Sequence, residues 1–447
     1  MLKIFKFGSR LSFLENYSVE VGVLLIFLLP PIGMLWLFIL GWRQIQQMMN
    51  SSSKFPFNVT VIFFLCLMVS TIGAAITSKK LEYFLVLAML LGYLGLYLRA
   101  REICRTSLFK RYQQMVIIGG CYSILTKFIP LSLRDHPIWG LLLGTKWIGG
   151  NKLDPRLVGS EYNPNFASFL LLLSFSFVLS RLFKQEKIIS SFKRAECLLV
   201  LFLGYGIMAT QSRACIVTMI VIFLLFLLRY RKKLGLWVSG VMVMLFQVIL
   251  HFIPRSSLID TSTMVREEIW RNSIRIWELH PFFGTTPLGF QQAYSTFGAP
   301  VPHAHNILLA FFSEYGTLGG LAFVIFLVWM VIKYLSLVKI PSGHKIMLES
   351  FILSLPILLI TGILDHPLSS PQTALAVIPL LSFWDRYTEP LFIWDYVASK
   401  YRSFHAYLSN YRVFEISLRK KSLDYRLIHY LSLLLIIIEL MEVVRII

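Results

Sequence analysis

Arginines and histidines stand at three places where an apolar run begins or ends, and each has a chemical and a plain structural meaning. Arg213 closes Thr210-Gln211-Ser212-Arg213, between two apolar runs. A guanidinium facing lipid there is costly. It either serves a function or snorkels to the membrane surface as a helix-end cation. Arg266, Trp270, Arg271, Ile274 and Trp277 recur at helical spacing. Residues 264–279, Arg275 among them, are expected to form an amphipathic helix on the bilayer surface. Its arginines meet either a substrate or lipid headgroups. His280-Pro281 ends the helix, and Gly284 and Gly289 bracket a turn. Pro302-His303-Ala304-His305-Asn306 precedes an apolar helix with Glu314, Gly316 and Gly319. His-x-His supplies two metal ligands, too few to argue for a metal when no acidic cluster lies nearby in sequence. An imidazole just outside a span can instead act as a general base near neutral pH. Asp365-His366-Pro367 joins two strong spans. Asp365 there orients a histidine, neutralises an arginine, or caps a helix before a proline stop.

Something must hold these residues, and the composition says what. Of 447 residues, 56% are hydrophobic and only 15% charged, which excludes an ordinary soluble globular chain. A mean hydropathy of +0.69 excludes disorder over most of the length. The expected class is an all-α, polytopic membrane bundle of about 11–12 spans. The net charge of +20 would suggest nucleic acid in a soluble protein. Here the basic residues sit in short loops between apolar runs, so topology explains them and no nucleic-acid partner is expected. Five scattered cysteines without a C-x-x-C pair argue against a disulfide framework or a cysteine metal site.

Clear spans are expected over 57–77, 81–98, 112–130, 163–180, 195–210, 214–228, 234–252, 306–332, 346–364 and 371–384. Residues 19–42 are apolar but interrupted by Pro30-Pro31, giving one kinked span or a split pair; the split is preferred because it keeps the basic N-terminus (Lys3, Lys6, Arg10) inside. The N-terminus resembles a signal peptide without a cleavage site, so a retained first span is expected. Basic loops around Arg99–Arg111, Arg181–Arg194, Arg229–Lys233 and Lys333–Lys345 mark the cytoplasmic side. Loop 131–162, the turn 211–213, the long loop 254–304 and the turn 365–370 then face the other way. Two domains are expected: 1–385, the bundle with its loop 254–304, and 386–447, a basic tail whose 427–439 run spans the membrane or lies in its interface.

Taken together, these residues resemble the O-antigen ligase and polymerase superfamily of bacterial inner-membrane glycosyltransferases. His305-Asn306, nine residues, Gly316, two residues and Gly319 fit its signature, with Glu314 two before Gly316. Arg266, Trp270 four later and Pro281 eleven after that are similar to its periplasmic arginine helix. Gly284 begins the following glycine turn; where the family usually has a second glycine, this chain has Thr286. Ser212-Arg213 matches a span-end Ser-Arg, followed by Ala214 where glycine is usual, and Asn163-Pro164-Asn165 and Asp365 also fit.

The resemblance implies a C-type glycosyltransferase (GT-C-like) architecture and glycan transfer from an undecaprenyl diphosphate carrier to a sugar hydroxyl. The acceptor is lipid A–core in ligases and another lipid-linked repeat unit in polymerases. It implies a metal-independent enzyme of the inner membrane, without a cofactor and with its site facing the periplasm. His305, Arg213 and Arg266 are expected to be catalytic. Arg271, Arg275, His303, Asn306, Glu314 and Asp365 are expected to bind substrate. A small-anion transporter is the reading from another class; polar residues gathered at one face, with no internal repeat, weigh against it.

Overall fold

The computed structural model describes residues 18–50, 56, 58–146, 155–183, 191–244, 259–340 and 346–389. Lys3, Lys6, Arg10, the tail beyond 389 and the 427–439 run lie outside these residues. Among the described residues every regular element is helical. Six helices among these residues are long and apolar enough to cross a membrane: Val59–Ser78 (α3), Leu81–Glu102 (a short 3-10 turn leading into α4, Phe84–Glu102), Pro164–Leu182 (α8), Arg213–Tyr230 (α10), Ile307–Val338 (α14) and Ile346–Leu364 (α15). The chain is therefore an all-α polytopic membrane protein.

Pro30-Pro31 splits the first apolar stretch into a hairpin. α1 (Ser18–Leu28) and α2 (Pro30–Asn50) meet at Leu29. The Trp36 indole donates to Ser18 O at 2.8 Å. Gly33 permits the close crossing, since a Cβ there would lie 2.2 Å from the Ile26 nitrogen. α5 (Thr106–Leu125) begins before its expected start at 112, because the Arg111 guanidinium is paired with the buried Glu20 at 2.7 Å. Two short helices, α6 (Leu131–Arg134) and α7 (Pro137–Leu143), follow.

α8 is buried along nearly its whole length, inside a ring of α5, α9 (Ser191–Ala209), α10 and α15. Apolar side chains gain little by leaving lipid, so tight packing and interhelical hydrogen bonds hold such a bundle. Ser174 Oγ donates to Val116 O at 2.9 Å, Gln113 Nε2 to Ser350 Oγ at 2.6 Å, and Ser350 Oγ to Ser180 Oγ at 2.8 Å. Each contributes about 1 kcal/mol. Buried charges are paired: Lys333 with Asp385 and Arg229 with Glu349, both at 2.7 Å.

After α11 (Lys232–Met244) come α12 (Ile259–Leu279) and α13 (Thr286–Tyr294). A last described helix, α16, covers 371–389, so it continues through the expected domain boundary at 385. α12 is the expected amphipathic helix, but protein covers its apolar face. Ile269 and Ile276 pack with Phe290, Tyr294, Ala304 and Ala310.

Candidate active site

α14 carries the site at its first turn and an interruption two turns later. Asn306 caps the helix, its Oδ1 accepting from Leu308 N and Leu309 N at 3.0 and 3.1 Å. Its Nδ2 donates to Ile363 O at 3.0 Å and ties this start to the end of α15. At Gly316 the backbone leaves helical geometry, with φ 65°. The freed groups pair with the 281–285 turn: Thr317 N donates to Pro281 O at 2.7 Å and Thr285 N to Ser313 O at 3.1 Å. Gly284 and Gly316 each lie against the backbone of the other's segment. A Cβ on either would stand 2.4 Å from the opposing backbone. Thr286, where the resemblance leads one to expect glycine, keeps a positive φ of 61°.

His305 sits just before the cap, with a φ of 49° that a side chain rarely adopts. Its Nδ1 lies 3.0 Å from Asp365 Oδ1. Asp365 is held from two further directions, by His366 N on Oδ1 at 2.8 Å and by Asn165 Nδ2 on Oδ2 at 2.9 Å. Burial pushes the Asp365 carboxyl up, but the His305 hydrogen bond, the charge of His303 and His305, and the His366 N–H outweigh it and hold the pKa at about 2. An ionised carboxylate only accepts, so His305 Nδ1 carries the proton and, in the neutral ring, Nε2 keeps its lone pair. The His305 side chain is 25% exposed against 10% for Asp365, leaving the imidazole accessible while its partner is enclosed.

His303 faces inward. Its Nδ1 accepts from the backbone N–H of His305 at 3.3 Å. Burial, then the charge of His305, lowers its pKa to about 4. His366 is buried too, and burial, then the charge of His303, lowers it to about 3. Both are neutral at physiological pH. Asp365 also completes a possible metal trio: His303, His305 and Asp365 each place one ligand atom within 4.8 Å of the others. The acidic partner that sequence proximity did not supply is supplied by the fold.

The arginines divide. Trp270, one turn after Arg266, donates its indole N–H to His305 O at 3.4 Å, and the Trp277 indole donates to Thr317 Oγ1 at 3.0 Å. The half-buried Arg266 lies on this flank of α12. Arg271 and Arg275 are exposed on the opposite flank, where Arg275 Nη1 reaches Asn272 Oδ1 at 3.4 Å; the structure does not bring them to His305. Arg213 opens α10, which packs on α8 and α15. Arg229, at the far end of α10, pairs with Glu349 near the start of α15, so the two helices run in opposite directions and the start of α10 meets the end of α15. Arg213 therefore lies at the end of the bundle that holds Asp365.

Other expected binding residues take different positions. Asn306 is occupied as cap and tie, and Asp365 is turned to His305. Glu314 is buried, with Oε2 4.0 Å from His366 Nε2, and lines a partly open cavity of about 100 Å³ with Phe63, Tyr93 and Phe311. Asn165 and His366 belong to the site without having been singled out as site residues. The Asn-Pro-Asn at the start of α8 was the available signal for the first.

Residues 198–324 match the family model described as O-antigen ligase. No curated protein matches the chain. The matched stretch contains Arg213, Arg266 and His305, whereas Asn165 and Asp365 lie outside it and reach the site through the fold. Over that stretch, less than a third of its length, the chain is similar to that family.

Proposed function

We propose that this chain moves a glycan from an undecaprenyl diphosphate carrier to a sugar hydroxyl at the periplasmic face of the bacterial inner membrane, as a ligase acting on lipid A–core or a related acceptor. The carrying observation is the His305 imidazole held through Nδ1 by a buried carboxylate, at the end of the bundle that also carries Arg213 and Arg266.

The acceptor hydroxyl is a weak nucleophile. As its oxygen attacks C1 of the donor sugar, its proton passes to His305 Nε2. The C1–O bond to phosphate breaks and the diphosphate leaves with the electron pair. Attack from the side opposite the leaving group inverts the anomeric centre. Asp365 keeps the imidazole in the accepting tautomer and stabilises the imidazolium that forms. Arg213 and Arg266 meet the developing negative charge. Guanidinium forks match phosphate oxygens two at a time and stay charged at every relevant pH, so they take the place of a metal.

Purified protein with a lipid diphosphate-linked oligosaccharide and candidate acceptors tests this. His305→Ala is expected to lose about 10²–10⁴-fold in turnover while remaining folded; near-wild-type turnover removes His305 from the base role. In a deletion strain, polymer retained on the carrier and absent from lipid A marks a ligase. Single repeat units on lipid A mark a polymerase instead.

A further inference from the structure

We propose that His303, His305 and Asp365 form a site for a Zn²⁺-like divalent ion, and that the bound ion switches glycan transfer off by moving the proton of His305 from Nδ1 to Nε2. The binding half stands on geometry alone, and the switching half rests on the base role given to His305.

The ligand atoms are already gathered. Asp365 Oδ1 lies 3.0 Å from His305 Nδ1 and 3.9 Å from His303 Nδ1. Around Zn²⁺, bonds of about 2.0–2.2 Å place ligand atoms at roughly such separations. His303 Nδ1 is unprotonated, since it accepts from the backbone N–H of His305, and a metal on that lone pair takes the place of this 3.3 Å hydrogen bond. The carboxylate is anchored on its far oxygen by Asn165. Such outer partners fix a ligand's orientation before a metal arrives. The partial exposure of His305 provides an entry. Two imidazoles and one carboxylate favour Zn²⁺ and its neighbours over Mg²⁺ or Ca²⁺, which prefer all-oxygen shells.

The consequence follows from proton balance. A metal on His305 Nδ1 occupies the position of the proton shared with Asp365. The neutral ring retains one proton, which moves to Nε2, so no net proton is released there. Nε2 then donates instead of accepting and cannot take the proton of the acceptor hydroxyl. Zn²⁺ would thus inhibit an enzyme that needs no metal to turn over.

Full-length protein in detergent is titrated with Zn²⁺ against a chromophoric chelator. Wild type should bind Zn²⁺ with Mg²⁺ in excess. Asp365→Asn and His303→Gln should each bind at least about tenfold more weakly, and His280→Ala should match wild type. Equal affinity in all four proteins overturns the site. Because Asp365→Asn also loses an anchor of the fold, Co²⁺ absorption of the unmutated protein is the second measurement. Intense visible bands of a low-coordinate nitrogen and oxygen site support the proposal, and the spectrum of hydrated Co²⁺ overturns it. Transfer by the unmutated protein should fall with Zn²⁺ occupancy and return with EDTA; full turnover with Zn²⁺ bound overturns the switch. Absence of transfer by metal-free protein counts against the glycosyltransferase reading, and the titration remains readable.

Discussion

With Nδ1 of His305 held by Asp365, the tautomer of the proposed base is set by its partner. Asp365→Asn keeps the shape and removes the charge. The amide can present either an acceptor or a donor to the ring, and it cannot stabilise an imidazolium. Turnover is expected to fall by about 10²–10⁴-fold with KM changed only a few-fold, read from initial rates with a lipid-linked donor; an unchanged kcat would make the contact structural only. Acidification should also loosen the cluster. His303 and His366 have pKa values lowered from 6.5 to about 4 and about 3. Between pH 6.5 and 4 the unfolded chain takes up protons that the folded protein refuses, so stability falls as pH falls, on the order of 1–3 kcal/mol for His303. Asp365 has its pKa depressed, so its contribution persists down to about pH 3.8 and fades toward 2. Thermal midpoints in detergent should drop across pH 6.5 to 4, and the drop should be shallower in His303→Gln. The residues that make the dyad were visible singly in the sequence, and orienting a histidine was one of the roles open to Asp365, but which histidine was not legible. His305 and Asp365 are 60 positions apart, and Asn165 and Asp365 are 200 apart. No local spacing encodes such a contact.

The elements were more legible, because span length and hydropathy act within one helix. The spans ending at Ser78, Leu182 and Leu364 lie close to their expected bounds. For the α12 arginines, helical spacing places residues on faces but does not say which face meets protein. Ile269, Ser273 and Ile276 are the buried stripe, so Arg266 flanks the site and Arg271 opposes it. The turn after α12 carries a further expectation. Thr286 holds φ 61°, a conformation costly for a β-branched residue, and its buried Oγ1 has no hydrogen-bond partner. Strain of this kind costs on the order of 1–3 kcal/mol. Thr286→Gly should therefore raise the thermal midpoint in detergent by several degrees. Gly284→Ala, forced against Glu314 backbone at 2.4 Å, should lower it sharply. A lower midpoint in Thr286→Gly would mean that packing outweighs backbone strain at this turn.

At the scale of the whole molecule, the question is which face of the membrane the site occupies. Helix direction separates the two ends. α14 begins at the His305 loop, and Lys333 lies about seven turns along it. In α5, Lys110 lies near the start and the buried Ser123 near the end, where it meets the Ser160-Glu161 turn leading into Asn165. Lys110 and Lys339, which follows the end of α14, thus belong to one end, with Lys333 inside the helix and paired with Asp385 rather than in the expected loop, and His305, Asp365 and Asn165 belong to the other. Basic loops are retained on the cytoplasmic side, which would turn the histidine end outward. Two single cysteines in a background without the five native ones should decide it. Gln291 is exposed on α13, whose Phe290 and Tyr294 pack beside Ala304 and Ala310, and Lys110 is exposed at the opposite end. Gln291→Cys should react with a membrane-impermeant maleimide in cells whose outer membrane alone is permeabilised. Lys110→Cys should react only after the inner membrane is opened. The reverse pattern would place His305 and Arg213 in the cytoplasm, away from a glycan displayed in the periplasm, and the transfer proposed here would lose its donor.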